Sequence, residues 1–158
     1  MIKEIMNINE ASDFLKGLIS ETNKKSEIKI YAEFNKVLSA LKNRDLTEEE
    51  LQSIENKLND LNLKDNSEKR KKHLKQKFSE FTSYLKKDFS LITEGYYATL
   101  GIAFGPGFGM VFGMIILNFL DRSLGMTYGM IGGMAIGLLI GRIMDKDAEK
   151  QGRVLKTD

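Results

Sequence analysis

The spacing of hydrophobic and polar residues divides the chain into two parts that meet near residue 96. Before that point, apolar side chains recur every three or four residues among charged ones, a period that predicts amphipathic helices. After it, charged side chains are absent from residues 97–120 and again from residues 123–141. The sequence therefore predicts an all-α protein in which a polar helical part precedes a very apolar part.

The polar part, residues 1–95, is predicted to be a small helical bundle or coiled-coil-like domain. Thr47 and Glu50 have the spacing of a capping box, in which each side chain satisfies a backbone N–H of the other. The last helix carries an apolar stripe over residues 74–92, which either joins the core or contacts another protein. Four helices are predicted. They cover 2–21, 26–43, a segment beginning after Thr47, and a segment that begins at Asp65 or Ser67 and either ends before the apolar part or continues to Gly95.

The apolar part, residues 96–144, is predicted to be a two-helix transmembrane hairpin, followed by a polar tail over 145–158. As helices, the spans 97–120 and 123–141 would be about 36 and 28 Å long, against a hydrocarbon core of about 30 Å. The alternative is a buried helix pair in a soluble protein. So short a chain offers little material to cover two uncharged helices on all sides, which favours the membrane.

Glycines recur every fourth residue in both spans, and a shift of 24 residues superimposes the first series on the second. The same shift places Asp121 on Asp145, so the two series form an internal repeat with an acidic end. Residues four apart share one helix face, and a glycine file lets a second backbone approach closely. The predicted helix-packing residues are Gly101, Gly105, Gly109, Gly113, Gly125, Gly129, Gly133, Gly137 and Gly141.

Two arrangements fit these glycine files: the spans face each other within one hairpin, or they meet other copies of the chain. The files resemble the glycine-zipper membrane segments of many bacterial small membrane proteins, and that resemblance implies a packing mode. The hairpin also loosely resembles phage holins. Pro106 lies inside the first span and predicts a kink or a broken first turn there.

Basic residues flank the hairpin on the side of both termini, which predicts a multi-pass protein of the cytoplasmic membrane with both ends inside. A second basic cluster lies in the last polar helix, and His73 within it is predicted to be a surface residue. This cluster is a solvated helix face, a contact for anionic lipid headgroups, or a site for an acidic partner or nucleic acid. Its members are Lys69, Arg70, Lys71, Lys72, Lys75 and Lys77.

No catalytic constellation is visible, so an enzyme is not expected, and neither a cofactor nor a metal site is predicted. The chain has no Cys and one His, which excludes cysteine chemistry and a multi-histidine metal site. The net charge of +2 does not favour nucleic-acid binding. We therefore expect an oligomerising membrane anchor or scaffold whose helical domain meets a cytosolic partner; the main alternative is a holin-like pore.

Overall fold

A computed structural model describes residues 6–64, 70–116 and 122–156 of this chain. These residues form six helices and two very short strands, which confirms the predicted all-α class. The chain divides into two compact units, Met1–Thr93 with Leu155–Asp158 and Glu94–Val154, named here the helical domain and the hairpin unit. The two units are described in turn.

The helical domain contains α1 (Ile8–Glu21), α2 (Lys25–Lys42), α3 (Glu48–Asp60) and α4 (Arg70–Phe89). Thr47 accepts a hydrogen bond from the backbone of Glu50, and the Glu50 carboxylate accepts one from the Thr47 N–H, so the predicted capping box is confirmed. Asn7 and Glu10 form a second capping box at the start of α1. The first helix therefore begins at Ile8, whereas the sequence predicted residue 2; residues 1–5 lie outside those described.

The apolar stripes of the four helices meet in one core. Phe34 of α2 lies at its centre, with its ring 5.2 Å from that of Phe78 and 5.6 Å from that of Phe81 on α4. The fully buried side chains include Leu15, Leu38, Ile54, Leu58, Leu74 and Leu85. The stripe of α4 thus belongs to the core of its own domain.

Polar contacts align the helices around this core. Asn59 and Glu55 of α3 accept hydrogen bonds from the backbone N–H groups of Met6 and Ile8, at 2.6 and 3.2 Å. Since the first N–H groups of a helix lack partners inside it, α3 satisfies the beginning of α1. The Ser53 and Tyr84 hydroxyls are 2.8 Å apart and link α3 to α4.

α4 ends at Phe89 and does not continue into the apolar part. Ser90 has a positive φ of 57°, and the Leu91 N–H returns to the carbonyl of Leu85 at 3.1 Å. The short strand β1 (Ile92–Thr93) follows, and Gly95, with a φ of 69°, precedes the next helix. The continuous helix considered from the sequence is therefore wrong, because a left-handed residue ends α4 before Gly95 is reached.

The hairpin unit contains α5 (Tyr96–Ile116) and α6 (Arg122–Lys150). Residues 117–121, which include Asp121 and the predicted end of the first span, lie outside those described. α6 extends nine residues beyond the predicted span, so the segment predicted as a polar tail is helical as far as Lys150. It ends where Gly152 adopts a φ of 67° and the Arg153 N–H bonds to the carbonyl of Ala148 at 2.9 Å, the Schellman arrangement.

Beyond α6 the chain returns to the helical domain. Val154–Leu155 forms β2, which pairs with β1 in a two-stranded sheet. Leu155 belongs to the core cluster of the helical domain and is only 2% exposed. The segment predicted as a polar tail therefore contains one leucine that is buried among the apolar residues of the helical domain.

Candidate membrane hairpin

The two glycine files lie against each other within a single hairpin. The pairs run in antiparallel order. They are Gly101 with Gly137, Gly105 with Gly133, Gly109 with Gly129, and Gly113 with Gly125. Gly141 continues the file but meets the backbone of Tyr97 and Ala98 instead of a glycine. Of the two arrangements left open by the sequence, the structure has the intramolecular one.

Backbone contact explains why these positions are glycine. A methyl group built on Gly133 would lie 2.6 Å from the Cα of Gly109, and one built on Gly129 would lie 2.7 Å from the Cα of Gly113. Real Cβ atoms do not come this close to another backbone, so any larger residue would push the helices apart. Gly107 and Gly132 differ from the file: nothing lies within 4 Å of a Cβ added at either one.

A carboxylate links α5 to α6 at the open end of the hairpin, opposite the turn. Asp145 of α6 accepts hydrogen bonds from the Tyr97 and Ala98 N–H groups, each at 2.9 Å. These are among the first N–H groups of α5, which have no partner inside their own helix, and a negative charge is favourable at that position. Sequence reasoning treated Asp145 only as a repeat marker; its position four residues after the second span was the available signal for a role at the helix ends.

The outward faces of both helices are apolar and exposed. Among the described residues, every large hydrophobic side chain that is classed as exposed lies in this unit, apart from Leu51. Exposed fractions reach 66% at Phe108, 69% at Ile115 and 68% at Ile143. Water would leave this surface unfavourably hydrated, whereas lipid tails would cover it without cost.

Both helices are long and apolar enough to cross a membrane. The qualifying helices are Tyr96–Ile116 and Ser123–Lys150, whose 18-residue apolar windows have mean hydropathies of 1.7 and 1.6. The core helices of soluble proteins meet the same criterion, but they are mostly buried, and these two are not. The hairpin is therefore consistent with association with a membrane.

One face of the hairpin forms an open groove of about 790 Å³. Its floor is the glycine file, and its walls are Phe104, Phe108 and Phe112 on α5 and Ile136 and Ile140 on α6. These wall residues also recur every four positions, a second period that sequence reasoning did not use. Gly132 lines this groove, whereas Gly107 does not.

Pro106 lies in the interior of α5, and the helix continues from Tyr96 to Ile116 without interruption. The predicted broken first turn is therefore wrong, since Pro106 is eleven residues into the helix and both neighbouring turns are formed. Proline has no N–H, so the Ile102 carbonyl loses its usual helical donor. The predicted kink at Pro106 stays a prediction.

The residues of the predicted basic cluster on α4 have different surroundings in the structure. Arg70 lies 3.7 Å from the carboxylate of Glu21 and Lys77 lies 3.3 Å from that of Glu80, whereas Lys71, Lys72 and Lys75 are exposed. Lys69 lies outside the described residues. His73 is half-buried, and its Nε2 atom is buried with no hydrogen-bond partner among the described residues, so the prediction of a surface histidine is wrong.

Contacts and burial shift the pKa of Glu80 and of Tyr31, both in the helical domain. A hydrogen bond from Lys57, at 2.7 Å, and a second from Lys77 hold the pKa of Glu80 below its ordinary value. Burial raises the pKa of Tyr31 on α2. Both pKa shifts arise from packing and hydrogen bonding within the helical domain.

Comparisons with protein-family models, with curated proteins and with solved structures found no match to this chain.

Proposed function

We propose that this protein is an integral membrane anchor or scaffold of the cytoplasmic membrane. In this proposal, α5 and α6 cross the bilayer as a closed hairpin, and the helical domain meets a partner protein in the cytosol. The observation that carries it is the exposed apolar surface on the outward faces of both helices. Without lipid, that surface would be an aggregation hazard.

The glycine files contribute by holding the hairpin closed. In lipid, burial of large apolar side chains between helices gains little, so close van der Waals contact along small residues is what holds two helices together. Since the glycine faces are occupied within the hairpin, self-association would use the outward side chains of α5 and α6.

Membrane insertion is tested by fractionating cells that express the full chain. After a carbonate wash at high pH, we expect the protein in the membrane pellet and its release only by detergent. Recovery of a monodisperse protein in the carbonate supernatant would refute the proposal.

Topology can be tested with single cysteines because the chain has none of its own. Ser123→Cys, at the start of α6, and Lys29→Cys, on an exposed position of α2, form a matched pair. In intact cells, an impermeant maleimide should label the first and leave the second unlabelled until the cells are opened. The reverse result would place both termini outside.

Pore formation is the alternative function. It predicts dye release from liposomes that contain the purified protein, at a rate that rises with protein density. The proposed anchor predicts no release above that of empty liposomes. The described part of α5 and the apolar stretch of α6 up to Gly141 carry no charged side chain to line a conduit, which favours the anchor.

A further inference from the structure

A basic pocket of about 410 Å³ lies at one end of the hairpin groove, in the same unit. Lys146, Lys150 and Arg153 line it together with one acid, Asp147. Asp147 accepts a hydrogen bond from the Gln151 side chain at 2.7 Å. With three cations to one anion, the pocket favours a negatively charged group.

The groove and the basic pocket share two of their lining residues. Tyr97 and Met144 line both, so the apolar groove leads directly into the cluster of cations. The groove is lined from Met144 to Gly129 on α6, about 22 Å, and from Tyr97 to Ile116 on α5, about 28 Å, against about 15 Å for half of a hydrocarbon core. The combined site therefore has a charged end and an apolar part long enough to hold an acyl chain of one leaflet.

We propose that this face of the hairpin binds one anionic phospholipid, with its phosphate against Lys146, Lys150 and Arg153 and an acyl chain along the groove. The inference rests on the proposed membrane insertion of α5 and α6. Selectivity comes from the cations, because apolar contacts do not distinguish one lipid from another, whereas a basic residue at the membrane surface favours anionic lipids.

A second copy of the chain is a less favourable occupant of this groove than an anionic phospholipid. Two copies inserted with the same topology, and paired through the same face, would place their two basic pockets side by side at one depth of the membrane. Like charges brought together at an interface disfavour association. A lipid phosphate, in contrast, neutralises the pocket.

The experiment measures lipid retention by native mass spectrometry of the full-length protein in detergent. Dioleoyl-phosphatidylglycerol is compared with dioleoyl-phosphatidylcholine, which has the same chains but no net charge. We expect one retained phosphatidylglycerol per chain and at least about tenfold weaker retention of phosphatidylcholine. Equal retention of the two lipids would overturn the inference.

Charge variants test the headgroup end. Replacement of Lys146, Lys150 and Arg153 by Gln should abolish the preference for phosphatidylglycerol, with a loss of about fivefold for each cation removed. The matched control replaces Lys71, Lys72 and Lys75 of α4 by Gln and should leave the preference unchanged. If the control has the same effect as the test variant, general electrostatics explains the binding and the site does not exist.

A glycine pair tests the groove. A Cβ added at Gly132 or at Gly107 meets nothing within 4 Å, and only Gly132 lines the groove. Gly132→Phe therefore tests the groove, and Gly107→Phe is its control outside the groove. We expect about tenfold weaker phosphatidylglycerol retention for the first variant only. Equal retention by both variants would refute the acyl-chain position. The charge variants lie outside the apolar stretches, so they keep the inference testable if Gly132→Phe fails to fold.

Two further readouts separate other occupants from a phospholipid. Soluble glycerol phosphate should not displace phosphatidylglycerol, and full displacement would reduce the site to a phosphate pocket and overturn the inference. Lipid-free dimers that are lost in Gly132→Phe would show that a second copy fills the groove. A protein that stays in carbonate-washed membranes yet shows no lipid preference would refute this inference alone and leave the proposed anchor intact.

Discussion

The carboxylate of Asp145 accepts the backbone N–H of Tyr97 at 2.9 Å, which connects the end of the apolar stretch in α6 to the first turn of α5. The neighbouring Ala98 N–H binds the other oxygen of the same carboxylate at 2.9 Å. One side chain thus satisfies two N–H groups that a helix start leaves without partners. The hairpin is closed at this end by a hydrogen-bonded charge, and along its length by glycine contacts.

Asp145→Ala should destabilise the hairpin, because two N–H groups lose their acceptor. Loss of a helix-capping acceptor costs about 0.5–2 kcal/mol. The measurement is an SDS titration of the purified protein, followed by circular dichroism, in which the unfolding midpoint should fall. Asp147→Ala, two residues away and not bonded to α5, serves as the control. Identical midpoints for both variants would contradict a capping role for Asp145.

Alanine substitution at the adjacent residues Gly132 and Gly133 should have different effects on the stability of the hairpin. Gly133→Ala places a methyl group 2.6 Å from the Cα of Gly109, so the helices must separate and the SDS midpoint should fall. Gly132→Ala meets open space, and the better helix propensity of alanine should leave the midpoint unchanged or raise it, by up to about 1 kcal/mol. A similar loss in both variants would show that the glycine contact does not hold the hairpin.

Leu155→Ala should destabilise the helical domain although the residue follows the hairpin in sequence. Leu155 is 2% exposed in the core of that domain, and truncation of a buried leucine costs about 2–5 kcal/mol. Thermal unfolding of the full chain in mild detergent, followed by tyrosine fluorescence, measures the loss. Leu51→Ala, at a leucine that is 38% exposed, should change the midpoint much less. If both variants unfold alike, the C-terminal segment is not part of the core.

Glu80→Gln should lower stability at neutral pH and lose its effect in acid. The bonds from Lys57 and Lys77 lower the pKa of Glu80 in the folded state, so their stabilisation is present above the ordinary carboxyl pKa. It is lost as the pH falls through the lowered value. The side chain is 41% exposed, and ion pairs at such sites contribute about 0.2–1 kcal/mol.

The measurement for Glu80→Gln is thermal unfolding of the wild type and the variant at pH 7 and at pH 3. The difference between their midpoints should be larger at pH 7. Glu33→Gln, at an exposed position of α2, controls for the general effect of removing one acid. A difference that stays constant across this range would exclude the ionised Glu80 as its source.

Much of the fold could be predicted because its helices repeat a simple period. The buried positions Leu15, Phe34, Ile54 and Phe81 all lie on the apolar stripes read from the sequence. The left-handed Ser90 that ends α4 was not predictable, since serine is not a typical residue for that conformation. His73 was also misread, because burial of one atom depends on which neighbouring helix covers it.

The sequence by itself determined the helical class, the two apolar spans and the faces that carry glycine, because each follows from local composition and a period of four. It did not determine which glycine meets which. A file with that period can slide by one repeat and again place most glycines opposite glycines, so the pattern is satisfied in several registers.

The tertiary structure decides the register by contacts that do not repeat. Asp145 meets the Tyr97 and Ala98 N–H groups only when Gly101 lies beside Gly137 and Gly109 beside Gly129. In a slipped hairpin those N–H groups would lose their acceptor while the glycine contacts largely persisted. A periodic pattern specifies a face, and a single polar contact at its end specifies the position along that face.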